Sequence, residues 1–246
     1  MLNKLITLTI FTFRRPDRLE RCLQSVDSNL VDEILIFNDD EKNALDLNQL
    51  EISSPLRTII KEFNPSEWGY SGRKFRKPKY LNKAVEIAKN EKILFSDDDG
   101  QFYADTIKSH YNALENYEFT AGAIIRDKFL NRISKSILQG TNYAFNRNFF
   151  TMVGGYDENF TNSMGGGDVD FWYRIYNYAT MNNTPIAYLP NAIQKVTSKS
   201  TRKKISRELN PKEYTLKKHN LKLVGPMYKW FPEIRNKSKW MQIING

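Results

Sequence analysis

Ile93-Leu94-Phe95-Ser96-Asp97-Asp98-Asp99-Gly100 is a short apolar run that stops at three consecutive carboxylates. The run has the length of a strand, and Lys79 to Lys92 before it reads as a helix. Together they put the acids at the carboxyl end of a strand, the edge where open α/β sheets place their ligands. Along an extended chain Asp97 and Asp99 project to one side and Asp98 to the other. Adjacent like charges repel, so two readings stand: a solvated acidic turn, or a seat for a hard divalent cation. Mg²⁺ or Mn²⁺ would take a few carboxylates and complete its shell with water or phosphate oxygens.

Upstream, Leu5 to Phe13 reads as a buried strand, and a helix starts near Pro16-Asp17 with Leu19, Cys22, Leu23 and Val26 as its apolar stripe. A second strand, Glu33 to Phe37, ends at Asn38-Asp39-Asp40. A third, Leu56 to Phe63, leads into a Gly, Ser and basic loop before a helix from Tyr80 to Lys89 that buries Leu81, Ala84, Val85 and Ala88. Strand and helix alternate, which predicts a mainly parallel α/β sheet flanked by helices. Past Gly100 the pattern predicts a helix over Ala104 to Asn116, strands at Glu118 to Arg126 and Tyr143 to Asn146, and a short helix at Arg147 to Val153. Gly154-Gly155-Tyr156-Asp157 is a turn, and a glycine loop at 162–167 delivers Asp168 to a helix running to about Ala179.

The 246 residues fit one large domain or a domain with an appendage. Lys and Arg outnumber Asp and Glu by 37 to 28, concentrated at 73–79, at 195–207 and in the last stretch of the chain. Such clusters favour anionic partners: nucleotide phosphates, lipid headgroups or nucleic acid. The one cysteine, Cys22, excludes an internal disulfide, fits a reducing compartment and reads as a small core residue. The opening apolar run continues into Arg14-Arg15-Pro16 instead of a cleavage site, and no stretch reaches the ~18 apolar residues of a membrane span. A cytoplasmic protein is expected, with peripheral membrane contact through the basic end as one reading and a solvated charged surface as the other.

Two groups look able to carry chemistry. Asp39-Asp40 and Asp97 to Asp99 lie at strand ends on one sheet edge, so they should flank a common crevice, although an Asx-type turn also explains Asp39-Asp40. In Gly165-Gly166-Gly167-Asp168-Val169-Asp170-Phe171-Trp172-Tyr173-Arg174 the glycines let the backbone approach a ligand or move. Asp168 then falls in a first helical turn, where the macrodipole favours its ionised form and a general base toward a hydroxyl is chemically reasonable. Asp170 and Arg174 are spaced for a helical ion pair. Trp172 and Ile175 suit the core, with Trp172 also a candidate ligand contact.

These residues, in this order, resemble the inverting GT-A glycosyltransferases of family 2 type, especially the galactosyltransferase-like branch with a Gly-Gly-Glu-Asp-type motif. Leu8 to Val26 is similar to that family's first strand and helix. Lys79 to Ala84 followed by Phe95-Ser96-Asp97-Asp98-Asp99 is similar to its pre-metal helix and DxD motif. Val153 to Phe160, then Gly166-Gly167-Asp168-Val169-Asp170 with Arg174, resembles its acceptor-side signature. The likeness spans roughly residues 5 to 190.

The resemblance implies a GT-A fold over residues 1–195, with a nucleotide-binding half (1–100) and an acceptor-binding half (101–195), and a helical, basic extension at 196–246. It implies a nucleotide-sugar donor, a UDP-hexose, contacted by Thr12, Asp39, Arg76, Lys77, Lys79, Asp97 and Asp98. It implies Mn²⁺ or Mg²⁺ on Asp97 and Asp99, and a glycan or lipid-linked acceptor beside Gly166, Gly167, Asp170 and Trp172. Asp168 matches the catalytic base of a direct, inverting displacement. Two departures stand out: Gly167 replaces the Glu common before the base, and no histidine follows Ile186-Ala187-Tyr188-Leu189, leaving His219, or Lys195 as a partial substitute, to complete a metal site. A nucleotidyltransferase would show a glycine-rich phosphate loop after the first strand, where Arg14-Arg15-Pro16 stands. Nucleic acid is not expected as a partner, because acidic strand ends repel a phosphate backbone.

Overall fold

The computed structural model describes residues 5–40, 42–50, 59–63, 76–126, 140–162, 166–197, 210–220 and 241–244. The expected strand residues 56–58, the basic loop at 64–75, Ser163 to Gly165 of the glycine loop and most of the basic extension lie outside them.

β1 (Ile6–Thr12) is buried along its whole length, flanked in parallel by β2 (Val31–Asn38) and β4 (Lys92–Asp97), with β3 (Ile59–Phe63) parallel to β2. β1 is covered on both faces, and its threonines Thr7, Thr9 and Thr12 are buried along with its apolar residues. Ile6, Leu8 and Ile10 pack with Leu19, Cys22 and Leu23 of α1 (Pro16–Gln24), while Phe11 joins Leu35 and Phe37 under α2 (Lys77–Ile87). The expected start of α2 at Tyr80 is too late. Pro78 sits in the first turn, where its missing N–H costs nothing, and this brings Lys77 to the front of the helix.

β5 (Gly100–Phe102), a strand the sequence does not announce, follows the acidic turn. α3 (Thr106–Ala113) is shorter than expected, and β6 (Phe119–Arg126), β7 (Tyr143–Asn146) and α4 (Arg147–Val153) fall where predicted. α5 (Gly167–Asn182) passes Ala179 and ends at Asn183, which is left-handed at φ 52°. Then come β8 (Ile186–Val196), α6 (Pro211–Lys218) and β9 (Gln242–Ile243). The strand order is β3-β2-β1-β4-β7-β6-β8-β5, with β9 on β8. β7 runs antiparallel to both β4 and β6, and β5 antiparallel to β8, so the sheet is parallel from β3 to β4 and mixed beyond it. Helices flank this curled α/β sheet as expected.

The second half is held by aromatics. Phe95, Phe119, Tyr143, Phe145, Phe149, Phe150, Phe171 and Trp172 form one buried cluster, with the Trp172 ring edge-on to Phe119 at 5.0 Å. Trp172 is 1% exposed. The indole is part of the core, as its helical position predicts.

Candidate active site

The ends of β2, β1 and β4 are tied into one edge. Asp39 donates its N–H to the Thr12 carbonyl at 2.9 Å, Asp98 its N–H to Phe11 at 3.3 Å, and the Thr12 hydroxyl donates to Asp98 Oδ2 at 2.7 Å. Arg15, just before α1, donates from Nε to the same oxygen at 2.9 Å and pairs with Oδ1 through Nη2. Asp98 and Thr12 are both 0% exposed. With Arg15 they lock the strand ends together. Burial pushes the Asp98 carboxyl up to about 7 in spite of Arg15 and Thr12.

Asp98 is turned inward, Asp97 is the last residue of β4 and Asp99 lies in the turn that follows. Lys77 Nζ donates to Asp97 Oδ1 at 2.6 Å, and Arg15 and Arg18 stand 3.4 and 3.7 Å from Asp99 Oδ2. Burial, and then the charge of Asp97, push the Asp99 carboxyl up, against Arg15, Arg18 and Lys77. Two hard oxygen donors close enough to feel each other fit a Mg²⁺ or Mn²⁺ ion completed by water and phosphate. Among the described residues no group of three or more His, Cys, Asp or Glu forms a metal site. His219 does not complete one, because its Nε2 lies 2.8 Å from Asp170 Oδ1.

The other donor-side candidates meet one another. Arg76 Nη1 donates to Asp39 Oδ1 at 3.0 Å, both side chains nearly buried, so the acid from β2 and the base at the start of α2 form an internal pair. Lys79 faces Glu158 at 3.6 Å. Asp40 takes its N–H to Asn38 Oδ1 at 3.1 Å and its carboxylate to Arg14, the Asx-type alternative seen in the sequence.

Asp168 comes to this same edge. A Cβ on Gly140 would sit 2.6 Å from Asp168 Oδ2 and 2.8 Å from Lys77 Nζ, and the Gly140 carbonyl accepts from Nζ at 2.7 Å. One lysine thus stands between Asp97 and the pocket of Asp168. The other carboxylate oxygen, Oδ1, accepts from the Tyr156 hydroxyl at 3.2 Å. Burial pushes the Asp168 carboxyl up, Lys77 opposes, Asp97 adds to the rise and Tyr156 opposes. Desolvation is the largest of these influences, and it works against the ionised form that the helix terminus favours. Gly166 turns the chain into α5 at φ +91°, where a Cβ would also meet Pro211 at 2.6 Å. A Cβ on Gly167 would meet only ordinary contacts at 3.4 to 3.8 Å, so no backbone clash explains the missing Glu.

Asp170, two positions on, is fully buried and committed. Arg174 Nε, Lys218 Nζ and His219 Nε2 lie 2.9, 2.9 and 2.8 Å from its oxygens. The predicted Asp170–Arg174 ion pair is present, and Lys218 and His219 occupy the rest of the carboxylate. Burial alone would raise this group, but His219, Arg174 and Lys218 hold it down to about 2. A depressed carboxyl contributes stability that is present above its unfolded pKa and lost as pH falls from about 4 to about 2, on the order of 2 kcal/mol. Asp170→Asn is therefore expected to lower Tm clearly at pH 7 and much less near pH 2.5. An equal loss at both pH values in thermal melts would show that the charge is not what matters.

Sequence reasoning passed over four residues here. Arg15 and Arg18 were legible only as charges in the first turn after β1, and Tyr156 only as part of a turn. Gly140 carries no local signal; its importance comes from the approach of Lys77 and Asp168.

A Rossmann-like sheet with paired acids at its parallel strand ends and a mixed, helix-backed second half is the GT-A architecture. Residues 1–349 of S. aureus TarS, solved in complex with UDP-GlcNAc, share this fold with a TM-score of 0.55 at 13% identity, over 80% of this chain. The chain spans 60% of that structure's length. Among curated proteins no relative matches. The chain belongs to glycosyl transferase family 2, whose sequence profile matches residues 7–166. The matched segment stops just short of Asp168.

Proposed function

We propose that this glycosyltransferase moves a hexose from a UDP-sugar to a hydroxyl of a glycan or lipid-linked acceptor, with metal assistance and inversion at the anomeric carbon. The observation that carries the reading is the placement of Lys77 between Asp97 and the Gly140–Asp168 contact. It unites a phosphate-handling edge with a part-buried carboxylate in a single site. The UDP-GlcNAc in the TarS complex supports the choice of donor class.

In this reading residues 1–100 bind the donor, 101–195 the acceptor, and 196–246 form an extension. Asp39 and Arg76 bound the nucleoside side as a pair, and Lys79 flanks the diphosphate. Asp97 and Asp99 would hold Mn²⁺ or Mg²⁺. When bound, the cation offsets charge growing on the departing diphosphate. Lys77 adds a fixed positive charge at the same place. Gly166 and Gly167 leave the acceptor an open approach to Asp168. The carboxylate takes the acceptor's hydroxyl proton while that oxygen bonds to the anomeric carbon. The carbon–oxygen bond to the diphosphate breaks, its electron pair leaving with UDP.

Among the described residues no helix is long and apolar enough to cross a membrane. Part of the basic extension is turned inward, since Lys218 and His219 serve Asp170. Membrane contact would fall to its other basic residues.

Calorimetric titration tests the donor site. UDP is expected to bind with Mn²⁺ present and at least tenfold more weakly in EDTA, and Asp97→Asn is expected to weaken binding by a similar factor. Equal UDP affinity in all three conditions would refute the metal-assisted donor site.

A further inference from the structure

We propose that Tyr156 is a positioning residue for Asp168: its phenol anchors Oδ1, so that Oδ2 is left to meet the acceptor hydroxyl. This rests on the reading of Asp168 as the base and goes beyond it, because it adds a residue that does not touch the reacting atoms.

Three observations support the assignment. First, the main chain of Tyr156 is clamped from both sides by one side chain of α2. Asn82 Oδ1 accepts the Tyr156 N–H at 2.7 Å, and Asn82 Nδ2 donates to the Tyr156 carbonyl at 2.9 Å. The clamp explains Gly155, where φ is +57° and a Cβ would meet Asn82 Oδ1 at 2.8 Å. Second, the ring is fixed by stacking on Phe171 of α5 at 4.3 Å between centroids, and the residue is 3% exposed. Its hydroxyl therefore has little freedom to turn elsewhere.

Third, the hydroxyl is itself held from behind. Tyr143 of β7, fully buried, brings its own hydroxyl to 2.5 Å from that of Tyr156. A phenol has one proton to give. If Tyr156 gives its proton to Asp168, Tyr143 must donate to Tyr156, so the chain Tyr143→Tyr156→Asp168 has a fixed direction. Burial, followed by nearby negative charge, raises both phenols well above their ordinary range, so they remain protonated donors at every working pH.

With Oδ1 occupied, Oδ2 is the oxygen nearest the position a Gly140 Cβ would fill, on the side of Lys77. The acceptor's proton goes to Oδ2 during transfer, and both tyrosines keep their own. Fixing the carboxylate in this way matters because small errors in the orientation of a base are expensive in rate.

The test uses the full chain and whichever of UDP-glucose, UDP-galactose and UDP-N-acetylglucosamine it turns over fastest with Mn²⁺, scored by UDP release. Tyr156→Phe keeps the ring and its stacking while removing the hydroxyl. We expect kcat to fall about tenfold with donor KM and Tm nearly unchanged. Tyr143→Phe, which leaves Asp168 untouched, should cost two- to fourfold, and the double variant should be no slower than Tyr156→Phe alone. Wild-type kcat in Tyr156→Phe, while Asp168→Asn is inactive, would overturn the positioning role and leave the base in place. Full activity in Asp168→Asn would overturn the base itself. A Tyr156→Phe defect that appears in KM or Tm instead of kcat would reduce Tyr156 to a structural residue and also overturn the proposal.

Discussion

Replacing Asp168 by asparagine is expected to lower kcat for sugar transfer by about 10²- to 10⁴-fold, the span that a positioned general base supplies. The substitution preserves shape and the capacity to accept from Tyr156, so affinity for UDP with Mn²⁺ should stay within about twofold of the parent. The pH profile gives a second mark. Because burial pushes the Asp168 carboxyl up, the acid limb of kcat should lie above the ordinary carboxylate range, with activity falling as pH drops through it. Steady-state rates paired with calorimetry separate the outcomes: a loss in both kcat and UDP affinity would make Asp168 part of the donor site, not the base.

Asp98→Ala is expected to have the largest effect on stability. The carboxylate is entirely buried between Thr12 and Arg15, and burial already outweighs those partners enough to hold it up to about 7. A buried ion pair adds little net stability when formed, yet removing one member strands the other. Breaking this one should cost about 3–5 kcal/mol. For a chain of this size that corresponds to a Tm lower by roughly 6–20 °C. Asp98→Asn, which still accepts from Thr12, should lose less. If the alanine variant melted within about 2 °C of the parent, the strand-end lock described here would not be what holds the acidic turn in shape.

The chemistry-bearing positions were easier to read from sequence than their partners. The DDDG stretch declared itself because an apolar strand cannot run on into three carboxylates, whereas the turn at Asp98–Asp99 that ends the strand's alternation was not legible. β1, α1, β7 and α4 were legible for similar reasons: proline at a helix start, continuous apolar runs, glycine at a helix end. What the acids touch was not legible. Arg15 meets Asp98 across 83 positions and Lys77 meets Asp97 across 20, and no local pattern states such pairings. The mixed half of the sheet was hidden for a related reason. β7 has the composition of a strand, but its antiparallel place between β4 and β6 is decided by the aromatic cluster that closes over it. The core place of Trp172 and the Asp170–Arg174 pair were legible from helical spacing, whereas the further partners of Asp170 were not. The packing of α6, which carries Lys218 and His219 to Asp170, lies far beyond the stretch that could be compared with any motif.

One displacement at the anomeric carbon, with Asp168 activating the incoming hydroxyl, is the central step of the proposed reaction. The most direct check is the anomeric configuration of the first product formed from an α-linked UDP-hexose, read from its proton coupling by NMR before any equilibration. A β-linked product is the result predicted; an α-linked one would contradict the single displacement and the role given to Asp168.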